Sequence, residues 1–342
     1  MTTDTVLAIF SCTRAIMGAA VVQLVEAGEI ELSHPAKEYA PEIAEIQVLE
    51  GFDAGGEPPP RPPETDVTVE QLMLHNAGFG FFNHDLIRYG ERRHVPGFVI
   101  ATQASLTGAL LFAPGEERDY GSNIDWVGKG VEGVRGKRLG EVFDEGIVGP
   151  LGMDSAGFFL TDDMRPRPAT MHQREDDGSL RPMPGFELPQ DSEQHMGGHG
   201  HVQALNMPDG DYMKFIRTVL NEDEGENGRL LEAETVREMG QNGLGDKTIK
   251  MLPGAIPTLS NGAEFFSGMP KGWSYTFTVN HEDAPTGRPI GELGWAGLAD
   301  LFYRIGRTDG IGGGWATRIL PFSPARSPSA ATRSSRGRST AP

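Results

Sequence analysis

The sequence is poor in cysteine: Cys12 is the one cysteine among 342 residues. A single thiol excludes an internal disulfide framework and a cysteine-rich zinc site. Because Cys12 lies next to Ser11 at the start of an apolar helix, we expect it to pack in the core. Three histidines, His195, His199 and His201, stand close together without an accompanying carboxylate pattern. We therefore predict no metal site and no cofactor.

Long apolar runs are also missing. No stretch approaches the ~18–20 consecutive apolar residues that a membrane-spanning helix needs, so the sequence predicts no membrane segment. Residues 1–10 lack the basic region and cleavage pattern of a signal peptide. These absences favour a cytoplasmic protein, or a periplasmic one if an N-terminal leader has been lost.

Basic residues are few, since 30 Lys and Arg stand against 48 Asp and Glu and give a net charge of −18. Such a charge repels phosphate backbones and anionic lipid, which argues against nucleic acid and acidic membranes as partners. A hydrophobic content of 38% and a charged content of 23% are typical of a globular protein with a buried core.

The pattern along the chain changes from helices to strands. Helical spacing of apolar residues covers 14–27, a capping threonine at Thr68 begins another helix, and a Pro/Gly-rich loop at 51–66 separates the two. Three further helices are predicted, and they lie within 136–153, 209–225 and 230–243. Residues 162–190 are predicted to be irregular surface. From about residue 272, aromatic and β-branched residues alternate with glycines, as in antiparallel strands. The order predicts an α+β chain.

The segment "SCTR" places Ser11 and Arg14 three residues apart, so they share one face of a helix. A serine in the first helical turn also lies near unpaired backbone N–H groups, which favour a developing negative charge. Taken alone, Ser11 is better explained as a helix cap. The Gly-x-Ser-x-Gly motif of α/β-hydrolases and the Gly-Lys-Ser/Thr ending of a phosphate loop are both absent.

Two later segments change how Ser11 is interpreted. "FAPGEERDYGSN" puts Tyr120 after a Pro-Gly turn, and "GELGWAGLADLF" puts Trp295-Ala296-Gly297 on a strand. Three more segments belong with them: "QLMLHNAGFG", "PLGM" and the segment after the serine helix. The landmarks together extend over about residues 4–322, and their order along the chain is that of one known superfamily. The chain resembles the serine β-lactamase and penicillin-binding-protein superfamily, in particular its class C-like esterase branch (family VIII type).

The resemblance implies roles for individual residues. Ser11 matches the acylated nucleophile, and Tyr120 matches the tyrosine that receives the serine proton. The backbone N–H groups of Ser11 and of Leu298, which follows Gly297, match the oxyanion hole. Trp295 would line the acyl pocket. His75, in the "LHNAG" loop, is expected to be structural rather than a base.

The departures from the family pattern fall on two motifs. Arg14 stands where the family has lysine, and a guanidinium can stabilise a tyrosine phenolate but cannot act as a base. In the tyrosine motif Ser122 takes the place of the family's asparagine, and Asn123 follows one residue later. We include Ser122 and Asn123 among the expected substrate-binding residues, with the role of the asparagine open.

The resemblance also implies the fold: an antiparallel sheet flanked by helices, with an inserted, mainly helical domain. Residues 1–34 and 205–322 would form the sheet domain, residues 35–204 the helical domain, and 323–342 a disordered low-complexity tail. The family's N-terminal strands and C-terminal helix have no counterpart in this pattern. Exposed sheet edges would follow, and they predict self-association into a homo-oligomer.

The leading functional hypothesis is a serine hydrolase that cleaves small carboxylic esters through an acyl-enzyme on Ser11, with Tyr120 as general base. The strand Trp295-Ala296-Gly297 carries no cation for a β-lactam carboxylate, which favours esters. Arg14 motivates two alternatives: a catalytically silent binding protein on the same fold, or a truncated and frame-altered form of an active esterase.

Overall fold

A computed structural model describes residues 1–81, 83–96, 103–186, 190, 205–222, 224–225 and 228–323. His195, His199, His201 and the tail beyond Ser323 lie outside these described residues, and so do the predictions made for them. The helices of the described part are α1 (Thr13–Glu26), α2 (Val69–Met73), α3 (His84–Arg93), α4 (Asn123–Arg135), α5 (Leu139–Phe143), α6 (Asp209–Asn221) and α7 (Ala233–Met239).

The strands fall into five groups by their pairing. Their bounds are β1 (Val6–Ala8), β2 (Val48–Leu49), β3 (Pro60–Arg61), β4 (Met171–Arg174), β5 (Leu180–Met183), β6 (Asn206–Pro208), β7 (Glu224–Gly225), β8 (Gly228–Arg229), β9 (Lys271–Trp273), β10 (Thr278–Asn280), β11 (Leu293–Gly297), β12 (Leu301–Gly306), β13 (Ile311–Trp315) and β14 (Ile319–Leu320). The largest sheet is antiparallel, with the order β13-β12-β11-β10-β9. Smaller sheets pair β1 with β6, β2 with β3 and β7 with β8, and a third strand, β14, joins the β4–β5 hairpin.

The central helix α1 is buried on nearly every side. Eleven of its fourteen residues are buried, and it packs against α4 and α7. A helix that is apolar all round belongs in the core of a large domain, which explains the long apolar run around "AIMGAAVVQLV". The helix predicted over residues 14–27 therefore agrees with the structure. The short strand β1 precedes this helix by four residues.

The antiparallel sheet follows the predicted strands after residue 272. In its centre β11 pairs with β12, so that Trp295 lies opposite Tyr303 and Gly297 opposite Leu301. Helix α6 covers β12 and β13. The α+β architecture of helices packed on antiparallel sheets is confirmed, and the predicted cap of α2 is present as a capping box between Thr68 and Gln71.

The sequence interpretation is wrong in one segment. Residues 162–190 contain the hairpin β4–β5 instead of an irregular surface, and β4 gains a further partner in distant β14. The helix predicted within 136–153 is present: α5 continues directly into a π-helical segment, Asp144–Val148, which ends at Gly149. The β4–β14 pairing also links the two predicted domains, whose boundary stays a prediction.

Candidate active site

Ser11 lies in a 3-10 turn, Phe10–Cys12, between β1 and α1. The N-cap position of α1 belongs to Cys12 and carries no side-chain capping hydrogen bond, so the structure gives no support to the interpretation of Ser11 as a helix cap. The preceding residue, Phe10, has a left-handed φ of 46°, which is costly for a bulky side chain. Strained backbone of this kind is found mainly at functional sites. Ser11 is 8% exposed and therefore retains limited access to solvent.

Tyr120 lies beside Ser11, and both side chains line the same pocket. Trp295 Nε1 donates a hydrogen bond to the Tyr120 hydroxyl at 3.0 Å. Burial raises the pKa of Tyr120, while the positive charge of Arg14 and the polar side chains of Ser11 and Trp295 oppose that rise. Burial prevails, so Tyr120 is a neutral phenol at neutral pH.

Arg14 is fully buried, and its guanidinium is held by two groups near the start of α4. One nitrogen donates to the carbonyl of Gly121 at 3.0 Å, and another donates to Asp125 at 3.1 Å. The guanidinium carbon lies 4.9 Å from the centre of the Tyr120 ring. Arg14 therefore acts on Tyr120 as a positive charge over the ring face and anchors the start of α4.

A second buried arginine near Tyr120 was missed by the sequence analysis. The Arg118 guanidinium lies 5.9 Å from the Tyr120 ring and 4.6 Å from the Trp273 ring. Burial lowers the pKa of Arg118 to about 10, against the opposing effect of Asp119. Its position two residues before the tyrosine offered no helical or strand pattern that would have identified it.

His75 and Asn123 form a structural cluster behind Tyr120. The His75 Nδ1 atom lies 3.0 Å from Asn123 Nδ2 and accepts a hydrogen bond from the backbone N–H of Gly121. Burial and the charges of Arg14 and Arg118 hold the pKa of His75 well below its usual range, so the ring is neutral. The Asn123 amide also donates to the carbonyl of Phe79, which orients it into the fold.

The pocket at Ser11 encloses about 420 Å³ of empty space that is open to solvent. Its lining is mainly apolar and consists of Ser11, Phe81, Tyr120, Leu252, Ser260, Phe265, Trp295, Ala296, Gly297, Leu298 and Phe322. The structure thus brings together Ser11, Tyr120, Trp295, Gly297 and Leu298, as the sequence analysis expected. Ser122 and Asn123 are not among the residues that line this pocket.

Gly297 explains how β11 comes so close to the serine turn. A Cβ atom at this position would lie 2.4 Å from the carbonyl oxygen of Ile9. The absence of a side chain lets the end of β11 pack directly on the turn that holds Ser11. Leu298, which follows Gly297, lines the same pocket as the serine.

Other candidate chemistry is weak. Cys12 is fully buried, and burial raises the pKa of its thiol well above the usual range, so the thiol is unreactive. The described residues contain no group of three His, Cys, Asp or Glu side chains that could hold a metal ion. Across the same residues, no helix is both long and apolar enough to cross a membrane.

Several proteins of known activity or structure are similar to this chain. Acyltransferase mokF of Monascus pilosus is 32% identical over 258 residues, which cover 74% of this chain and 60% of that protein. This chain therefore spans less than two thirds of that acyltransferase. Lovastatin esterase of Penicillium rubens is 28% identical over 336 residues, which cover 93% of this chain and 81% of the esterase.

The solved structures agree on the fold. A mutant of simvastatin synthase (LovD) from Aspergillus terreus superposes with a TM-score of 0.81 at 25% identity, over 97% of this chain and 80% of that one. EstCE1, described as a hydrolase with promiscuous acyltransferase activity, has a TM-score of 0.73 and shares the fold at 19% identity, over 97% of this chain and 84% of that one. The family model for beta-lactamase matches residues 1–326. With its serine turn, buried tyrosine and glycine-ended strand in one pocket, the chain belongs to the beta-lactamase family.

Proposed function

We propose that this chain cleaves small carboxylic esters through an acyl-enzyme on Ser11. The observation that carries the proposal is that Ser11 and Tyr120 lie side by side in the wall of one apolar pocket. A serine hydroxyl is a weak nucleophile until a neighbouring group removes its proton. Tyr120 is the group in contact with Ser11 that can do so once it is a phenolate.

The proposed reaction has two half-steps. Ser11 Oγ attacks the ester carbonyl carbon while its proton passes to the Tyr120 phenolate, and the backbone N–H groups of Ser11 and Leu298 stabilise the oxyanion. The ester C–O bond then breaks, and the departing alcohol takes the proton from Tyr120. A water molecule next attacks the acyl carbon and gives a proton to Tyr120. The bond between the acyl carbon and Ser11 Oγ then breaks, Ser11 Oγ takes the proton back from Tyr120, and the carboxylic acid is released.

Acyl transfer is a second candidate for the same site. It differs from hydrolysis only in the second half-step, where an alcohol instead of water takes the acyl group from Ser11. The similarity to Monascus pilosus acyltransferase mokF and to simvastatin synthase favours it. Adding an alcohol acceptor and measuring the new ester against the free acid decides between the two outcomes.

The alternative of a catalytically silent binding protein is also tested, because the Arg14 guanidinium pairs with Asp125 and cannot serve as a base. Covalent labelling separates the alternatives. We expect a fluorophosphonate to add one mass equivalent to Ser11, and Ser11→Ala to lose both this adduct and hydrolysis of p-nitrophenyl butyrate, by at least about 10³-fold.

The matched control is Ser179→Ala, in the turn between β4 and β5, which should behave as the unaltered protein. Equal hydrolysis rates for the unaltered protein and Ser11→Ala would contradict the proposal. The truncated-esterase alternative predicts that Arg14→Lys raises turnover, and no gain would count against it.

A further inference from the structure

A buried arginine near the active site takes no part in the reaction proposed for Ser11. Arg118 is 6% exposed, and its Nε and Nη2 atoms have no hydrogen-bond partner among the described residues. It does not line the pocket at Ser11, so it does not contact a substrate held there. Because burying a charge without hydrogen bonds is costly, an arginine in this state is expected to serve a function.

The Arg118 guanidinium lies close to two aromatic rings. Its carbon is 4.6 Å from the centre of the Trp273 ring and 5.9 Å from that of the Tyr120 ring, and the two ring centres are 6.2 Å apart. Trp273 is fully buried, and its Nε1 atom donates a hydrogen bond to the carbonyl of Met73 at 3.2 Å. A cation is attracted to an aromatic ring, so the fixed Trp273 ring keeps the positive charge near Tyr120.

Arg118 differs from Arg14 in how its charge is compensated. Arg14 lies closer to the Tyr120 ring, at 4.9 Å, but it pairs directly with Asp125 at 3.1 Å. The negative charge of Asp125 opposes the effect of Arg14 on the pKa of Tyr120. The Nε and Nη2 atoms of Arg118 contact no such acceptor. In a buried site, an unpaired charge acts more strongly on its surroundings than one half of an ion pair does.

Both charged and neutral groups surround Tyr120 in the described part of the chain. The titratable or charged groups near it are Arg14, His75, Arg118, Asp119, Asp125 and Tyr303. His75 and Tyr303 are neutral, because burial lowers the pKa of His75 and raises that of Tyr303. Asp119 is mainly ionised at neutral pH, since burial raises its pKa to about 6. Tyr120 opposes the fall in the pKa of Arg118, and because such a coupling acts equally in both directions, Arg118 favours the Tyr120 phenolate.

We propose that Arg118 is a positioning residue for the acylation of Ser11, and that its unpaired positive charge stabilises the Tyr120 phenolate that takes the serine proton. This inference rests on the proposed function of Ser11 and Tyr120. Arg118 supplies the charge that Arg14 cannot supply alone, since Arg14 shares its own with Asp125. The proton still passes from Ser11 to Tyr120, and Arg118 neither gives nor takes one.

The variants that test this role change the charge of one side chain. Arg118→Met removes the charge and leaves an apolar side chain beside Trp273, whereas Arg118→Lys keeps a positive charge there. The matched control is Arg318→Met. Arg318 is also 6% exposed, has an unpartnered Nη1 atom and a pKa lowered to about 10, but it lines a different pocket. If Arg118→Met does not fold, Arg118→Gln supplies the neutral variant.

The ionisation of Tyr120 is measured directly by fluorine NMR. The protein is labelled with 3-fluorotyrosine, whose phenol is more acidic than that of tyrosine, and the signal is assigned with Tyr120→Phe. We expect the titration midpoint of Tyr120 to rise by about one pH unit in Arg118→Met, a tenfold loss of phenolate. Arg118→Lys and Arg318→Met should keep it close to that of the unaltered protein. A merely structural effect would expose Tyr120 to water and lower the midpoint, so the sign of the shift separates the two.

Hydrolysis of p-nitrophenyl butyrate at pH 8 is measured in the same variants. Arg118→Met should lower kcat/KM about three- to tenfold, because the greater basicity of the remaining phenolate offsets part of its loss, and Arg118→Lys should restore the rate. A midpoint that stays or falls in Arg118→Met, or a kcat/KM that is unchanged while the midpoint rises, would overturn the proposal.

The fluorine titration also separates this proposal from that of the Ser11 chemistry, because it needs no ester. It is repeated in Ser11→Ala, without and with Arg118→Met. The same rise of the midpoint supports the action of Arg118 on Tyr120 even if no ester is hydrolysed, in which case the Ser11 proposal alone fails. No rise in a protein that hydrolyses esters through Ser11 would overturn the role of Arg118 and leave the Ser11 proposal standing.

Discussion

The phenol of Tyr120 is under two opposing influences. Burial favours the neutral form, whereas the Arg14 charge and the polar side chains of Ser11 and Trp295 favour the phenolate. Arg118 adds a second guanidinium 5.9 Å from the ring. Since the net pKa lies above its ordinary value of 10.0, only a small fraction of the protein holds the phenolate, the form proposed to accept the Ser11 proton, at pH 7.

The first prediction concerns the pH dependence of Ser11 acylation. Because the phenolate is the reactive form, its fraction and kcat/KM should rise about tenfold per pH unit, without a plateau below about pH 10. Stopped-flow acylation with p-nitrophenyl butyrate at pH 6–10 measures this, with Tyr120→Phe as the inactive comparison. A plateau near neutral pH would point to another base and contradict the assignment of Tyr120.

Arg14 has a structural role besides the effect of its charge on Tyr120. It shares a fully buried ion pair with Asp125 and donates to the carbonyl of Gly121, so it fixes the tyrosine motif against α1. A buried carboxylate that loses its guanidinium pays the cost of an uncompensated charge. Arg14 is thus expected to be needed for folding, whatever its effect on Tyr120.

The second prediction follows from that pair. Arg14→Met should lower the free energy of unfolding by about 3–5 kcal/mol, and the double change Arg14→Met with Asp125→Leu should recover part of the loss. Urea denaturation measures both. Lys37→Met breaks the exposed pair with Asp66 and serves as control, with an expected loss below about 1 kcal/mol. If Arg14→Met lowered the free energy of unfolding no more than Lys37→Met does, the structural role of Arg14 would be contradicted.

At the scale of elements, the site depends on the contact between β11 and the serine turn. The strand ends at Gly297, and the following turn has left-handed φ values of 65° at Ala299 and 53° at Asp300. The serine turn has its own left-handed residue at Phe10. Two strained turns are thus packed together, which is consistent with a backbone geometry maintained for function.

The third prediction tests this contact. In Gly297→Ala the new Cβ would lie 2.4 Å from the Ile9 carbonyl oxygen, so β11 must move away from the turn. We expect ester hydrolysis to fall about tenfold or more and stability to fall by about 1–3 kcal/mol. Gly313→Ala, in the same sheet but facing open space, is the matched control. Full activity of Gly297→Ala would show that the close approach is not required.

At the scale of the whole molecule, β13 is an edge of the largest sheet among the described strands. It carries two large apolar side chains that are about half exposed, Ile311 at 46% and Trp315 at 48%. An exposed edge strand with apolar side chains is a template for pairing with another chain. The net charge of −18 opposes such pairing through long-range repulsion.

The fourth prediction combines these two features. The protein should self-associate through β13 and do so more strongly at 0.5 M NaCl, because salt screens the repulsion between like-charged molecules. Sedimentation velocity across a concentration series measures this, and Trp315→Lys should shift the distribution toward monomer. Leu180→Lys, at another exposed apolar residue on β5, is the control. A monomer at every salt concentration would contradict the prediction.

Local sequence signals predicted much of the fold. The apolar run of α1, the capping box at Thr68 and the glycine-rich strands after residue 272 depend on neighbouring residues, and the structure agrees with all three. The β4–β5 hairpin was missed because its pattern is weak and its third strand, β14, lies about 140 residues away along the chain. Pairing over that distance leaves no local trace.

In the candidate site, too, some features could be predicted from the sequence and others depended on the tertiary structure. The sequence by itself determined which residues could react, because Ser11, Tyr120 and Trp295 stand in motifs whose order carries the family resemblance. Only the tertiary structure decided where their neighbours point. It turned Arg14 toward Asp125 and Asn123 toward His75. The direction of a buried polar side chain depends on which distant hydrogen-bonding partners the fold supplies, and motif spacing does not contain that information.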